Sequence, residues 1–386
     1  MRKVIQMVIV NKPPMGWNSW NTFGANIDEK MIFETADTMV REGLLECGYE
    51  YLVIDDCWQS KTRDENGRLV PDPKKFPHGM KYVADYVHSK GLKFGMYSCV
   101  GALTCAEFPG SYNHEFTDAQ SFAEWGVDFL KYDFCFRDER IPAEILYRRM
   151  GLALANCGRD ILLSTSSFGK ENTEKWIRTT GASMWRFCGD IFDTWGSRRK
   201  ITERAIDRAY DNYKGSFLDM DMLVVGMNGK GNVAKDEPAL GFEEYKFHFS
   251  LWALMGSPLM IGCDIRNMSE DTKRILTNKE VIAISQDTAC CQPVICKHPP
   301  HEQFVACRML ENGDVALGVF NLSDQASDQW GSWVIPEEFG WTRESGTKLL
   351  MRDLWDGTEK YLQNDIIMES GIPPHSCRLF RISLVK

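Results

Sequence analysis

Val127-Asp128-Phe129-Leu130-Lys131-Tyr132 is followed directly by Asp133, so that a short apolar run ends in an acidic residue. A run of this length between turn residues is typical of a buried β-strand. Similar runs recur along the first 290 residues, and with this one there are eight. The other seven cover residues 15–17, 51–54, 92–97, 161–164, 183–186, 222–225 and 258–261.

The stretches between these runs have the apolar spacing of amphipathic helices. They predict helices over residues 29–46, 79–90, 118–125, 143–156, 202–213 and 243–254. Glycines follow or end several of them, as helix-stop signals do. Repeated strand–helix units of about 30–40 residues favour a parallel sheet. Eight such units favour a closed (β/α)8 barrel, and the absence of a G-x-G-x-x-G motif weakens an open dinucleotide-binding sheet.

The pattern changes after about residue 290. Residues 303–309, 314–321 and 376–382 read as strands, and a turn signal at Glu311-Asn312-Gly313-Asp314 separates two of them. We therefore assign residues 1–290 to an α/β catalytic barrel and residues 291–386 to a C-terminal antiparallel β domain, a β-sandwich. Residues 1–10 are interpreted as a first strand or a tail.

Composition restricts the function classes. Of the 386 residues, 44% are apolar and the formal net charge is −9, without a long Lys/Arg run. A nucleic-acid partner is therefore not expected. No apolar stretch of about 18 residues occurs, so we expect no membrane span. The N-terminus lacks a signal-peptide pattern, which predicts a cytoplasmic protein unless a signal has been removed. A homo-oligomer remains open.

Cysteine and histidine spacing gives no sign of a metal site. The chain has 13 Cys, an odd number without the spacing of a disulfide framework, and no C-x-x-C pair. None of the seven His has metal-ligand spacing to another. We therefore expect neither a metal nor a cofactor.

Acidic residues follow several of the predicted strands. In a (β/α)8 barrel the active site lies at the C-terminal ends of the strands. One Asp after a strand is often a helix cap or a turn former. Acids at four strand ends bring like charges together at the mouth of the barrel. Their repulsion costs free energy unless a ligand binds there. The strand-end residues are Asp55, Asp56, Tyr97, Lys131, Asp133, Arg186, Asp190, Asp219 and Asp221.

Paired carboxylates without a metal suit glycoside hydrolysis. One acid protonates the leaving oxygen and the other attacks the anomeric carbon, about 5–5.5 Å away in retaining enzymes. Lys131 lies two residues before Asp133 on a strand, projects to the same face and favours the carboxylate anion. Trp20 or Trp58 is expected to pack on the apolar face of the sugar ring.

At these residues the chain resembles the family 27 glycoside hydrolases, which contain α-galactosidases and α-N-acetylgalactosaminidases. The similarity covers residues 13–290 with all motifs in order. It implies a (β/α)8 barrel, a C-terminal antiparallel β domain and a retaining mechanism without a cofactor. The motifs are Met15-Gly16-Trp17-Asn18-Ser19-Trp20, Tyr51-Leu52-Val53-Ile54-Asp55-Asp56-Cys57-Trp58, Leu130-Lys131-Tyr132-Asp133, Trp185-Arg186-Phe187-Cys188-Gly189-Asp190-Ile191, Asp219-Met220-Asp221-Met222-Leu223 and Ile284-Ser285-Gln286-Asp287.

The resemblance also implies roles for individual residues. Asp133 is the expected nucleophile and Asp190 the expected acid/base. The implied binding residues are Asp55 and Asp56 toward O4 and O6 of a galactose-type sugar, Lys131 over O3 and O4, Arg186 and Asp221 near O2, and Trp20 and Tyr97 along the pocket. Cys105 and Cys135 match a pair that is disulfide-bonded in secreted relatives. In a cytosolic protein we expect them close but reduced.

One departure concerns the sugar's 2-position. By alignment, Ser166 replaces a Glu that contacts O2, and Gly169 replaces a larger apolar residue. These positions are small in α-N-acetylgalactosaminidases, where they leave room for an acetamido group. The leading interpretation is an α-galactosidase, with an α-N-acetylgalactosaminidase as the first alternative.

Three further alternatives remain. A β-L-arabinopyranosidase is open, although Asp55 favours a hydroxymethyl group on the sugar. A non-catalytic sugar-binding relative would lack a catalytic acid, and both Asp133 and Asp190 are present. A metal-dependent isomerase would need His or Glu ligands at the strand ends, where the sequence has none.

Overall fold

The described part of the chain comprises residues 10–298, 302–327 and 330–386 of a computed structural model. The strand or tail predicted for residues 1–10 therefore lies almost wholly outside the described residues. In the described ranges, every helix is too short or too polar to span a bilayer.

Eight parallel strands form the barrel wall. Each strand pairs with its neighbour in the chain from β1 to β7, and β8 returns to pair with β1. The strands are β1 (Met15–Asn18), β2 (Tyr51–Val53), β3 (Lys93–Cys99), β4 (Phe129–Asp133), β5 (Leu162–Thr165), β6 (Ala182–Arg186), β7 (Phe217–Asp219) and β8 (Leu259–Ile261).

The seventh strand differs from the sequence prediction. The apolar run at 222–225 was expected to be the strand, but β7 lies a few residues earlier, at Phe217–Asp219. The run closes the barrel instead, because the Leu223 amide donates to the Met260 carbonyl at 2.7 Å and the Gly262 amide donates to Leu223 at 2.9 Å. Residues 223–225 are fully buried, so apolar content alone did not distinguish this segment from a strand.

Helices surround the barrel. They are α1 (Trp20–Phe23), α2 (Glu29–Arg41), α3 (Gly79–Ser89), α4 (Glu115–Trp125), α5 (Ala143–Ala155), α6 (Thr173–Trp176), α7 (Trp195–Ile206), α8 (Phe242–Met255), α9 (Glu270–Leu276) and α10 (Lys279–Ser285). Helix α7 begins before the predicted start at 202, because Thr194 caps it by accepting a hydrogen bond from the Ser197 amide.

The C-terminal strands are antiparallel. Six form one sheet and two form a separate pair, with an apolar core of their own. The six are β9 (Val294–His298), β10 (Gln303–Met309), β11 (Val315–Asn321), β13 (Lys348–Asp353), β14 (Glu359–Tyr361) and β16 (Cys377–Val385), and the pair is β12 (Trp330–Trp333) with β15 (Ile366–Glu369). The predicted barrel with a C-terminal β-sandwich is confirmed, while the domain boundary at 290 stays a prediction.

The sandwich is fastened to the barrel by ion pairs and aromatic packing. Arg352 binds both carboxylate oxygens of Glu280, at 2.7 and 2.8 Å. The ring of Phe320 also packs edge-on against Phe247 of α8.

Candidate active site

A cavity of about 120 Å³ opens at the carboxyl ends of the barrel strands. Ten of the thirteen residues proposed from the sequence border it. The ten are Trp20, Asp55, Asp56, Tyr97, Cys105, Lys131, Asp133, Arg186, Asp190 and Asp221. They come together because parallel strands of a barrel end at one face, although they lie far apart in sequence.

Asp133, the last residue of β4, is fixed in the cavity wall. Its Oδ1 accepts a hydrogen bond from the Phe134 amide at 2.8 Å, and its Oδ2 accepts one from the Tyr97 hydroxyl at 3.1 Å. Burial raises the pKa of Asp133, and the charges of Lys131 and Arg186 oppose that rise. The two cations therefore favour the ionised form of Asp133 in a buried position, where the lack of water favours the protonated form.

Lys131 and Asp55 form a buried ion pair. The Lys131 ammonium lies 2.7 Å from Asp55 Oδ2, which also accepts a hydrogen bond from the Asn18 amide group at 2.7 Å. Burial alone would lower the pKa of Lys131, but Asp55 and Asp133 raise it overall, so the ammonium stays charged. The pair presents one donor and one acceptor to a ligand in the cavity.

Asp56 is held by the backbone on both sides. Its Oδ1 accepts from the Cys57 amide at 2.7 Å and its Oδ2 from the Ala106 amide at 3.1 Å. Cys57 has a φ of 72°, an uncommon conformation for a residue with a side chain. The turn after β2 therefore orients this carboxylate, which suits a group that accepts hydrogen bonds from hydroxyls.

Arg186 lies between two carboxylates. Its Nη2 donates to Asp190 Oδ1 at 2.6 Å, and its Nη1 lies 3.3 Å from Asp221 Oδ1. The Asp190 side chain is 58% exposed, whereas those of Arg186 and Asp221 are buried. Burial acts to raise the pKa of Asp190, but the Arg186 charge outweighs it and lowers the pKa overall. Asp190 is therefore ionised when no ligand occupies the cavity.

Asp219 lies beneath Asp221 at the end of β7. Its Oδ1 accepts a hydrogen bond from the Asp221 amide at 2.8 Å. Asp221 has a φ of 72°, and its Oδ2 accepts from the Ile191 amide at 2.7 Å. Burial and the neighbouring charge of Asp221 raise the pKa of Asp219 to about 7. Asp219 thus supports the turn that carries Asp221, and it does not border the cavity.

The raised pKa of Asp219 gives a stability test. Between about pH 4 and 7 the unfolded chain ionises Asp219 while the folded chain keeps it protonated, so the contribution of Asp219 to parent stability falls as pH rises. Asp219→Asn keeps the carbonyl acceptor and cannot ionise. Between pH 4 and pH 8, we expect the difference in unfolding free energy, variant minus parent, to increase by up to about 4 kcal/mol. Urea unfolding at both pH values measures this, and a pH-independent difference would contradict it.

Cys105 and Cys135 are joined in a disulfide, with their Cα atoms 5.2 Å apart. They lie close, as expected, and the two sulfurs are bonded in this structure, whereas reduced thiols were expected for a cytosolic protein. Cys105 Sγ lies 3.7 Å from Asp133 Oδ2, so the bridge supports the wall beside that carboxylate. Both sulfurs belong to the bridge and offer no thiolate to a metal.

Ser166, Gly169 and Cys135 do not border the cavity. Ser166 is 1% exposed and its hydroxyl has no hydrogen-bond partner among the described residues. Gly169 has a φ of 71°, and a Cβ there would collide with the Phe187 carbonyl. Phe168, between them, forms the wall, and the Arg186 guanidinium lies 5.1 Å from its ring centroid.

Some cavity residues were missed from the sequence, and of the two tryptophans considered for the sugar face only one borders the cavity. Trp58 is fully buried and donates to the Tyr97 carbonyl, so only Trp20 of the two tryptophans reaches the cavity. The missed residues are Asn21, Phe168, Phe192, Met222, Asn232 and Val233. Asn232 and Val233 belong to a loop without strand or helix patterning, and their amides donate to the Asn21 carbonyl.

Comparison with known proteins places this geometry in a family. A model described as Alpha galactosidase A matches residues 12–287, and one described as Alpha galactosidase C-terminal beta sandwich domain matches residues 303–382. The chain belongs to the alpha-galactosidase family of glycoside hydrolases. The alpha-galactosidase match includes every residue that borders the cavity.

Individual members of the alpha-galactosidase family are similar over nearly their whole length. The chain is 49% identical to an alpha-galactosidase of Coffea arabica, over 95% of this chain and 93% of the relative. It is 41% identical to one of Cyamopsis tetragonoloba, over 95% and 85%. The solved structure of alpha-galactosidase I from Mortierella vinacea superposes with a TM-score of 0.88 at 31% identity, over 96% of this chain and 97% of that one.

Proposed function

We propose that this protein is a retaining, exo-acting α-galactosidase that releases terminal α-linked galactose from oligosaccharides or glycoconjugates. The observation that carries the proposal is the convergence of Asp133, Asp190 and the Asp55–Lys131 pair on one narrow cavity. Relatives named alpha-galactosidase, at up to 49% identity over nearly the whole chain, support the same substrate class.

The size of the cavity supports exo action. Pockets for drug-sized ligands usually measure about 300–1,000 Å³. This cavity measures about 120 Å³ and is bounded by side chains from most of the barrel strands. It therefore accommodates one sugar ring at the end of a chain. An internal unit of a polysaccharide carries chain on both sides, and the cavity has no exit on the far side for the second part of that chain.

The chemistry follows from the two carboxylates. Asp133 attacks the anomeric carbon while Asp190 protonates the glycosidic oxygen, so the bond to the leaving group breaks as the bond to Asp133 forms. Asp190 then removes a proton from water, which attacks the same carbon and displaces Asp133. Two inversions give net retention, and both carboxyl groups return to their starting states.

Arg186 links the protonation of Asp190 to sugar binding. In the empty cavity, Arg186 keeps Asp190 ionised through the 2.6 Å contact. A sugar hydroxyl at the Arg186–Asp221 edge competes for the guanidinium, and the exposed Asp190 side chain then turns toward the glycosidic oxygen. Loss of its cationic partner raises the pKa of Asp190, which then takes up from solvent the proton that the leaving group needs.

Phe168 supports galactose over N-acetylgalactosamine. The small residues at 166 and 169 were the reason to consider an acetamido group, but Ser166 is buried behind the wall. The ring of Phe168 occupies that part of the wall beside Arg186. An acetamido group at the sugar's 2-position meets this ring, whereas a hydroxyl does not.

Rates on p-nitrophenyl α-galactoside and p-nitrophenyl α-N-acetylgalactosaminide test this specificity. The parent is expected to favour the galactoside by about 100-fold in kcat/KM, and Phe168→Ala to reduce that preference about tenfold. Phe136→Ala, at an exposed Phe outside the cavity, is the matched control and should leave the preference unchanged. A parent that prefers the acetamido sugar would make the protein an α-N-acetylgalactosaminidase instead.

A further inference from the structure

A loop between β7 and α8 forms part of the cavity wall. It covers residues 226–233, and we call it the 226–233 loop. Two of its residues, Asn232 and Val233, border the cavity, although neither lies at the end of a barrel strand. Their amides donate to the Asn21 carbonyl at 2.8 and 3.2 Å. The shape of the cavity on this side therefore depends on what holds the loop in place.

The backbone of the 226–233 loop is irregular. Gly226, Asn228, Gly229 and Gly231 all have a positive φ, between 52° and 86°. Residues in this conformation form neither helices nor strands, so regular secondary structure does not fix the loop. A Cβ at Gly231 would lie 2.8 Å from the Thr22 Cα, which shows how closely the loop packs on α1. The loop is therefore held by individual contacts.

A buried carboxylate and a buried phenol hold the other end of the loop. Asp193 is 1% exposed, and Tyr245, near the start of α8, is 4% exposed. The Tyr245 hydroxyl donates to Asp193 Oδ1 at 3.0 Å and accepts a hydrogen bond from the Asn228 amide at 2.8 Å. Asp193 Oδ2 accepts one from the Gly229 amide at 2.7 Å. One Asp–Tyr pair thus binds two consecutive loop amides, and neither of its members borders the cavity.

Asp193 also connects the loop to the segment that carries Asp190. It lies three residues after Asp190, and its amide donates to the Val233 carbonyl at 3.4 Å. Burial raises the pKa of Asp193, and the hydrogen bonds from Gly229 and Tyr245 oppose that rise. A buried carboxylate without such donors is costly. The contacts that fix the loop therefore also compensate the burial of Asp193.

We propose that Asp193 and Tyr245 are positioning residues for sugar binding, which hold the 226–233 loop in the conformation that completes the cavity before a sugar arrives. These roles rest on the galactosidase function proposed above. If the loop is in place in only about a tenth of the molecules, ligand binding weakens about tenfold. Once the sugar is bound the loop is ordered, so kcat is unchanged. The pair therefore acts on binding of the sugar and not on the chemical steps.

Tyr245→Phe tests the pair, because it removes the hydroxyl and keeps the ring. We expect KM for p-nitrophenyl α-galactoside and the inhibition constant of galactose each to rise about 5- to 10-fold, with kcat within about twofold of the parent. Tyr49→Phe is the matched control. Tyr49 is also fully buried, and its hydroxyl donates to the Leu276 carbonyl at 2.8 Å, outside the cavity. It should keep parent KM and inhibition constant.

Gly231→Ala disturbs the same loop from its other end. The new Cβ would collide with Thr22, so the loop moves off α1 while the contacts of Asp193 stay intact. We expect the same rise in KM and in the inhibition constant of galactose. Gly158→Ala is the control, because Gly158 has a nearly equal φ of 85° and a Cβ there would have no atom within 4 Å. This second variant decides the outcome if Tyr245→Phe does not fold.

Three results would overturn the roles of Asp193 and Tyr245. They are a folded Tyr245→Phe with parent KM and inhibition constant, an equal rise in Tyr49→Phe, and a fall in kcat alone. If Tyr245→Phe does not fold, parent constants in Gly231→Ala would overturn them too. Hydrolysis of p-nitrophenyl α-galactoside by the parent tests the proposed function separately. An active parent with unchanged variants rejects the positioning roles alone, and an inactive parent rejects the galactosidase function.

Discussion

Asp133→Asn is expected to lower kcat on p-nitrophenyl α-galactoside by at least about 10⁴-fold, a loss of about 5 kcal/mol in transition-state stabilisation. The amide preserves the shape of the carboxylate and its acceptor for the Phe134 amide. It cannot form the bond to the anomeric carbon, so the first step has no nucleophile. Steady-state rates with circular dichroism as a check of folding measure the effect.

Asp138→Asn is the matched control for this variant. Asp138 follows the same strand and pairs with Arg140 on the surface, outside the cavity. It should keep near-parent kcat. An Asp133→Asn variant that folds and keeps more than about a tenth of parent activity would remove Asp133 from the role of nucleophile.

Asp190→Asn is expected to affect substrates according to their leaving group. A sugar alcohol leaves only if it is protonated, so kcat/KM on an oligosaccharide should fall by about 10³-fold or more. p-Nitrophenolate leaves without a proton, so the first step on the aryl substrate should slow by about tenfold at most. Parallel assays on the two substrates give the ratio that identifies the acid.

The same pair of assays distinguishes Asp190 from Asp133. Loss of the nucleophile lowers the rate on both substrates alike. Asp133→Asn therefore serves as the reference for a loss of activity that does not depend on the leaving group. Equal losses on both substrates in Asp190→Asn would show that Asp190 positions the sugar through Arg186 rather than donating the proton.

Much of the site was predictable because strand ends meet in a barrel. Once Asp55 and Asp133 were placed after apolar runs, the topology brought them to one mouth without any knowledge of loop structure. Asp221 reaches the same mouth because β7 ends at Asp219, before the run at 222–225 that was predicted as the strand. The ion pair of Lys131 with Asp55 follows from the same rule, although the sequence had suggested Asp133 as the partner of Lys131.

Other features depend on contacts that no local pattern encodes. The boundaries of β7 were missed because the apolar run at 222–225 closes the barrel through single backbone contacts. Phe168 rather than Ser166 or Gly169 reaches the cavity, in a turn after β5 where both Phe168 and Gly169 have a positive φ. The pairing of Arg186 with Asp190 also depends on the conformation of a loop.

The start of α7 was also missed, because the helix begins at Trp195 and not at the predicted residue 202. The Thr194 side chain sets this start by accepting a hydrogen bond from the Ser197 amide, as capping residues at helix N-termini do.

Azide rescue of Asp133→Gly tests most directly whether Asp133 attacks the anomeric carbon. Azide is small enough to occupy the space left by the carboxylate and to attack from the same face. With p-nitrophenyl α-galactoside, the account predicts that azide restores turnover and that the product is β-galactosyl azide, identified by the coupling constant of its anomeric proton. If Asp133→Gly instead gave α-galactosyl azide, the assignment of Asp133 would be contradicted. The same holds if azide gave β-galactosyl azide only with Asp190→Gly.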